Sequence, residues 1–544
     1  MIKNDTKLTK EYVLNGLKSL DYNTYRYQTA VEFIFEPCIV NLMKVLDEKF
    51  NSELGRPAYS RIQLLSIFIF AEINGVTNIS DIPVLCETND IFKILTPGDI
   101  PQRNTLSKFL DTKDEDIFLS IYLYTLVKLN DYHYLDNIKD AYLDGTDALV
   151  NGSVNYLIHE DEIEALELLN KWKLLHDNTE SKIEDLKHEL KKKLIRYKND
   201  SDKAKLIGLA LKRPKLYNKY VFKKIDKFKQ ALLNYDKKYV SVNFPESVKL
   251  PSKRGKWEMG LNLQELMSDN HIVLSGFLLR KSNDFNTLNE VTNKISHNIE
   301  LLKAIQEEYG ERNNTKFLED LFHIDTWCDS GFDDIENQKA RETSTLNFLF
   351  LPKKLSKQIN DKLRKKVSHF TDKKDKKKSK KCGKITPEER DDISIKDCER
   401  VKGGYNCPYG GFIELIKIKD SNCKFNKEND LSDYLQKKNF KHECKNCSGC
   451  PYYLKYGKKC SVAKYTEHTS LYIYQLTELF LTEEYKKGYV KRFSIGEGIN
   501  GYLKGKLGIL RLFGNNINAA ENHLHIKNII YNLTRFVKLK DSIC

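Results

Sequence analysis

Two short apolar runs of this chain each finish on an aspartate, and that pattern restricts the folds open to it. Asp144 follows Ala141-Tyr-Leu, and Asp329 follows Ile324-Asp-Thr-Trp-Cys; both runs read as strands. A third acid, Glu497, opens a helical stretch that continues Gly-Ile-Asn-Gly-Tyr-Leu-Lys504. Carboxylates collected from separate elements supply the hard oxygen ligands that Mg²⁺ or Mn²⁺ prefers. A pair of such ions clamps the attacking and leaving oxygens of a phosphodiester. The expectation is metal-dependent chemistry on nucleic acid, with Asp144, Asp329 and Glu497 as ligands. Each acid also has a plainer reading. Asp144-Gly145 suits a turn, Asp147, Asp325 and Asp333 compete as carboxylates, and Glu497 suits a solvated helix face.

The pattern around these acids predicts an α/β protein. Residues 1–130 carry helical spacing, with an apolar helix from Arg61 to Glu72 and a capped start near Asn78-Ile-Ser80. Several short helices with basic turns suit a DNA-binding unit or a plain helical scaffold. The segment 138–352 reads as strand, hairpin, helix, strand, helix, strand, which describes a mixed α/β layer. The hairpin joins Trp257-Glu-Met-Gly-Leu-Asn-Leu-Gln to His271-Ile-Val-Leu through Ser268-Asp-Asn, and strands are expected over 317–325 and 346–351. A helical insertion is expected over 157–239, where Leu186, Leu190 and Leu194 recur every four residues. Residues 471–544 return to the core and end on a helix over 519–537.

The chain carries a formal net charge of +14, and 351–384 alone holds 15 Lys/Arg against 3 Asp/Glu. The basicity therefore belongs mostly to a linker over 353–384, not to a binding face elsewhere. No run of about 18 apolar residues is present and the N-terminus has no apolar signal core, so a cytoplasmic protein without a membrane partner is expected. Eight of the 12 cysteines fall at 382, 398, 407, 423, 444, 447, 450 and 460. In a reducing compartment such clustering favours a metal over disulfides, and a Cys-rich insertion is expected over 385–470. Cys444, Cys447, Cys450 and Cys460 are the favoured Zn²⁺ ligands, with Cys407 able to replace one. A reduced, metal-free loop and an iron–sulfur cluster are the alternatives.

Taken with their order, these motifs resemble the DDE transposases of bacterial insertion sequences. Gly55-Arg56-Pro-Ala-Tyr, Ile79-Ser-Asp-Ile and Pro101-Gln-Arg103-Asn-Thr-Leu-Ser are similar to that family's N-terminal helical domain, which implies DNA contacts for Arg56 and Arg103. Leu143-Asp-Gly-Thr resembles the first catalytic motif, Gly260-Leu-Asn-Leu-Gln an internal strand, and Asp329-Ser-Gly-Phe the second motif. Tyr489, Arg492, Glu497 and Lys504 look like a Tyr-x2-Arg-x3-Glu-x6-Lys signature, although four residues, not three, separate Arg492 from Glu497.

The resemblance implies an RNase H-like mixed-sheet catalytic core carrying a long helical and a Cys-rich insertion. It also implies Mg²⁺-dependent strand cleavage and strand transfer on terminal inverted repeats and target DNA, by a homodimer that brings two ends together. Tyr489, Arg492 and Lys504 would hold phosphates or a displaced base. The alternatives are an RNase H-like nuclease that does not join strands and a non-catalytic, transposase-derived DNA-binding protein.

Overall fold

The computed structural model describes residues 8–541 apart from 50–58, 252–256, 312–322, 353–393, 421–436 and gaps of at most three residues. The chain is a mixed α/β protein built on a six-stranded sheet. Its strands are β1 (Asp140–Leu149), β2 (Val248–Pro251), β3 (Trp257–Ser268), β4 (Val273–Leu279), β5 (Asp325–Cys328) and β6 (Asn347–Phe350). Both β2 and β4 pair with one edge of β3, and the path continues β3–β1–β5–β6. Pairing is antiparallel as far as β1 and parallel beyond it. The expected hairpin is present as β3 and β4. Nearly every residue of that hairpin is buried, so both of its faces are covered.

Helices supply the cover. The N-terminal unit contains α1 (Arg61–Ile73), α2 (Asp81–Thr88), α3 (Arg103–Leu110) and α4 (Glu115–Asp131). Leu64 to Glu72 of α1 are all buried, so this mostly apolar helix is covered on every side. Later helices are α5 (Leu288–Tyr309), α6 (Ile335–Thr343), α7 (Glu483–Gly505) and α8 (Ile517–Asp541). Leu288, Val291, Ile295, Ile299 and Leu302 form the buried stripe of α5 that their spacing predicts. The strand expected over 317–325 begins only at Asp325, and 312–322 lie outside the described residues.

Two insertions stand apart from the main core. Helices Glu160–Lys171, Glu180–Arg196, Ser201–Lys212 and Ile225–Tyr235 pack around their own cluster, which includes Ile163, Leu166, Leu190 and Phe228. An antiparallel ribbon of Leu157–His159 with Tyr239–Ser241 closes their base. The Cys-rich region is a five-stranded meander of β7 (Glu399–Val401), β8 (Gly404–Asn406), β9 (Phe412–Asp420), β10 (Lys437–Cys444) and β11 (Lys464–Ser470). The basic segment 353–384 lies outside the described residues.

The N-terminal unit is locked to the sheet by α8. Asn532 pairs with the backbone of Val273 in β4, accepting from its N–H (3.1 Å) and donating to its carbonyl (3.0 Å). A buried charged group completes the lock. Glu72 of α1 accepts from Lys527 Nζ and from His523 Nε2, each at 2.6 Å. The Phe513 N–H donates to His523 Nδ1, so the proton of the neutral ring sits on Nε2. Burial and the Lys527 charge hold that imidazole down to about 4, which agrees with a neutral ring. Lys527→Met leaves Glu72 a buried carboxylate without its cation. It is expected to cost about 3 kcal/mol, seen as a lower chemical-denaturation midpoint; an unchanged midpoint would remove this group from the lock.

Candidate active site

Asp144 does not end its strand. β1 runs on to Leu149 because β3, on its other edge, keeps pairing as far as Leu149 and Gly260. The parallel partner β5 stops earlier, with Leu143 opposite Cys328. Asp144 and Asp329 therefore follow neighbouring positions of two parallel strands, and each lies in the other's field. Asp329 turns the chain at once: its Oδ1 accepts from the Gly331 N–H at 2.5 Å and opens a short 3₁₀ turn.

The helix α7 lies over this point. Arg492 Nη1 donates to Asp144 Oδ1 (2.9 Å), and Asn500 Nδ2 donates to Asp144 Oδ2 (2.6 Å). Gly496, midway between them, presents its α-carbon to the same carboxylate: a methyl there would sit 3.4 Å from Asp144 Oδ2. Residues 492, 496 and 500 share one helix face by their four-residue spacing. The Asp144 side chain remains 18% exposed, so it is reachable from outside. Burial raises its pKa from the ordinary carboxylate value; Arg492 opposes that rise, Asp329 adds to it, and Lys504 opposes it from farther along α7.

Three expectations about α7 change. Glu497 lies well inside the helix instead of opening it. Its backbone is one position from the Gly496 face, and its side chain lies outside what the structure describes. Arg492 grips Asp144 instead of standing free for phosphate. Tyr489 is 1% exposed, packed 5.8 Å from Phe480 with the Arg492 guanidinium 5.4 Å over its ring. Such burial leaves Tyr489 no surface for DNA; it supports Arg492 from behind. Lys504 is half-buried, Arg103 is exposed at the start of α3, and Arg56 lies outside the described residues.

Two further acids join the site without having appeared in any motif. Asp284, in the loop from β4 to α5, accepts from Gln264 Nε2 (2.7 Å) and Asn262 Nδ2 (2.9 Å) of β3. Its backbone carbonyl is fixed by Asn337 and Thr287, each at 2.8 Å. A methyl at Gly331 would sit 2.7 Å from Asp329 Oδ1 and 2.8 Å from Asp284 Oδ2; one at Gly145 would sit 2.7 Å from Asp284 Oδ1. Those two glycines are thus the clearance that lets Asp284 reach the rim. Burial, with Asp329 nearby, pushes Asp284 up to about 6 despite its amide partners.

Glu265 is the other addition. It pairs directly opposite Asp144 across β1 and β3, is completely buried, and neither of its oxygens has a hydrogen-bond partner among the described residues. Asn528 of α8 closes the same space near Gly276, also with both amide atoms unpaired among the described residues. Burial first, then the Asp144 charge, pushes Glu265 up to about 8.

Among the described residues no three carboxylate, thiol or imidazole side chains are already drawn together tightly enough to hold an ion. The thiols of the Cys-rich meander nevertheless gather at one end. The Cys398 thiol and the amides of Tyr409 and Gly411 hydrogen-bond to Cys407 and hold it down to about 6, against burial. Cys460 accepts from the amides of Val462 and Ala463 and feels the charges of Cys407 and Cys447. A methyl at Gly411 would stand 3.3 Å from Cys444 Sγ and 3.7 Å from Cys407 Cβ. Cys450 neighbours Cys447 alone among these links, whereas Cys407 is more central than its spacing suggests. Cys382 and Cys423 lie outside the described residues.

No helix among the described residues is long and apolar enough to cross a membrane. The chain matches no family model, no curated protein and no solved structure.

Proposed function

We propose that the chain is a DNA transposase with an RNase H-like core, cutting element ends and joining them to target DNA. The observation that carries this reading is that Asp144 and Asp329 lie side by side just past the last paired residues, Leu143 and Cys328, of two parallel strands, under a helix that sets Arg492 and Lys504 beside them. The strand path, an antiparallel hairpin followed by two parallel strands, supports the same reading. The donor set suits Mg²⁺ in kind: carboxylates only, on a rim cleared by Gly145 and Gly331. Asp144 and Asp329 would hold the ion together with Glu497. Bound there, Mg²⁺ would supply an activated nucleophile and stabilise the leaving oxygen.

The chain's own groups do the positioning. Arg492 and Asn500 fix the Asp144 carboxylate, Asp284 braces the Asp329 side of the rim, and the Lys504 charge favours an approaching phosphate. Water attack on phosphorus breaks the P–O bond at the element end and leaves a 3′-hydroxyl. Attack of that hydroxyl on a target phosphorus breaks a second P–O bond and joins the strands. One site serves both steps because only the nucleophile differs.

The test uses full-length protein, Mg²⁺ and labelled DNA carrying the ends of its own element. Nicked and then joined products are expected. Cleavage without joining would instead make the chain a nuclease, and binding without either reaction a non-catalytic DNA-binding protein. A homodimer is part of the proposal, since joining two ends at once needs two sites.

The thiol arrangement supports a Zn²⁺ site that differs by one ligand from the spacing-based set, with Cys407, Cys444, Cys447 and Cys460 holding the ion. Its role is to fix the end of the meander. Metal analysis of purified protein is expected to find zinc that Cys407→Ser and Cys460→Ser lose and Cys450→Ser keeps. Zinc retained by Cys407→Ser and lost by Cys450→Ser would return the assignment to Cys444, Cys447, Cys450 and Cys460.

A further inference from the structure

Beyond the carboxylates, a cleft of about 510 Å³ opens between the N-terminal helices and the far end of β1. Its walls bring together segments that are distant in sequence. Asn78 comes from the turn leading into α2, Arg103 from the first position of α3, Leu149 from the end of β1, Trp257 from the start of β3, and Arg511 from the segment between α7 and α8. That last segment is sewn to the strand end: Leu512 N–H donates to the Leu149 carbonyl at 3.0 Å, which places Arg511 beside Leu149.

Three exposed side chains on this cleft, Arg103, Arg511 and Trp257, stand without charged or ring partners among the described residues. Arg103 is the first residue of α3, where a cation opposes the helix dipole, and no acid accompanies it in the first turn. Neither Arg103 nor Arg511 has a carboxylate or ring partner among the described residues, and both are exposed. Trp257 is 58% exposed with no stacking partner among the described residues. Glu258 is the only acid among the described residues lining the cleft. Unpaired guanidiniums beside a bare indole form a surface for a polyanion that also presents flat rings.

We infer that this cleft holds one strand of DNA running to the carboxylate site, with phosphates on Arg103 and Arg511 and an unstacked base against Trp257. The inference rests on the DNA-cutting reading and extends it. Leu149 lies five positions beyond Asp144 on the same strand, about 17 Å at the usual rise per residue. A stacked DNA strand covers that span in about five nucleotides at 3.4 Å per step. The base on Trp257 therefore belongs to the flank of the scissile phosphate, not to the phosphate itself. Aromatic stacking tolerates any base, so the cleft gives grip and leaves sequence reading to other contacts.

The test is fluorescence and affinity on the full chain, with a blunt duplex and the same duplex bearing a short single-stranded tail. Trp257 is the exposed reporter: Trp327 is buried, and Trp172 is stacked on Tyr197 at 5.5 Å under Lys193. Tailed DNA is expected to quench the wild type, and Trp257→Phe is expected to remove most of that quench while keeping the circular dichroism spectrum. Trp257→Ala is expected to weaken the tailed duplex about tenfold, with little change for the blunt one. The double variant Arg103→Ala/Arg511→Ala is expected to flatten the log–log salt dependence by about 1.4, the loss of two single-strand phosphate contacts. Wild-type quench, affinity and salt slope in these variants would overturn the cleft while leaving DNA binding standing. A wild type that binds neither duplex would overturn the DNA-cutting reading itself.

Discussion

Asp144→Asn is expected to lower end cleavage on the order of a thousandfold, with binding to the same DNA changed only slightly. The substitution keeps shape and volume and removes the charge that a metal ion needs. It is also tolerated by its surroundings. Arg492 can still donate to the amide oxygen. Asn500, whose Oδ1 has no partner among the described residues, can turn its own amide to accept from the new NH₂ group. Folding is therefore retained, and loss of activity reports chemistry. Arg492→Ala is the contrasting change: it strands a mostly buried carboxylate, and its first effect is on stability. Asp284→Asn falls between them. Its hydrogen bonds to Asn262 and Gln264 brace the rim, so a loss of ten- to a hundredfold is expected, in the range of groups that support a metal ligand. Cleavage by Asp144→Asn at near wild-type rates would take Asp144 out of the reaction.

These residues also mark how far the sequence could be read. The hairpin of β3 and β4 and the buried stripe of α5 were legible because period-2 and period-3.6 patterns survive burial. The extent of β1 was not. Gly145-Thr-Asp147 looks like a turn, and only the long antiparallel register with β3 keeps it extended. Nor was the interior position of Glu497 legible, since α7 carries Gly488, Gly496, Gly498 and Gly501, which read locally as breakers. Packing explains two of them. A methyl at Gly488 would fall 2.4 Å from the Trp327 ring, and Gly496 lies against Asp144. Tertiary contact decided what propensity opposed.

Asp284 and Glu265 escaped notice for a different reason. Each depends on a neighbour brought from elsewhere, and neither sits in a run that announces chemistry. The Arg492–Gly496–Asn500 spacing of four was a usable signal that the motif match at Glu497 obscured. Asn262 and Gln264, alternating with Leu261 and Leu263 in β3, were another: two amides on one face need a partner, and Asp284 is that partner.

Glu265→Gln is expected to make the protein more stable at alkaline pH, by an amount that grows with pH. Glutamine mimics the protonated acid, which is the form that this buried position favours. The ordinary carboxyl value is 4.5, whereas burial and Asp144 hold Glu265 up to about 8. Between these values the unfolded chain has released a proton that the folded chain retains, so stability falls as pH rises. Below pH 4.5 both states are protonated and the two proteins should be alike. Above pH 8 the full difference is present, about 5 kcal/mol at 1.36 kcal/mol per pKa unit. Urea denaturation at pH 5 and pH 9 measures it, and parallel pH profiles for the two proteins would contradict it. The same substitution separates two roles for this acid. If Glu265 only fills space beneath Asp144, cleavage by the variant matches the wild type at every pH. If its charge acts on the site, cleavage by the two proteins is alike on the acid limb and diverges only as pH rises through about 8, where the wild-type acid ionises and the glutamine cannot.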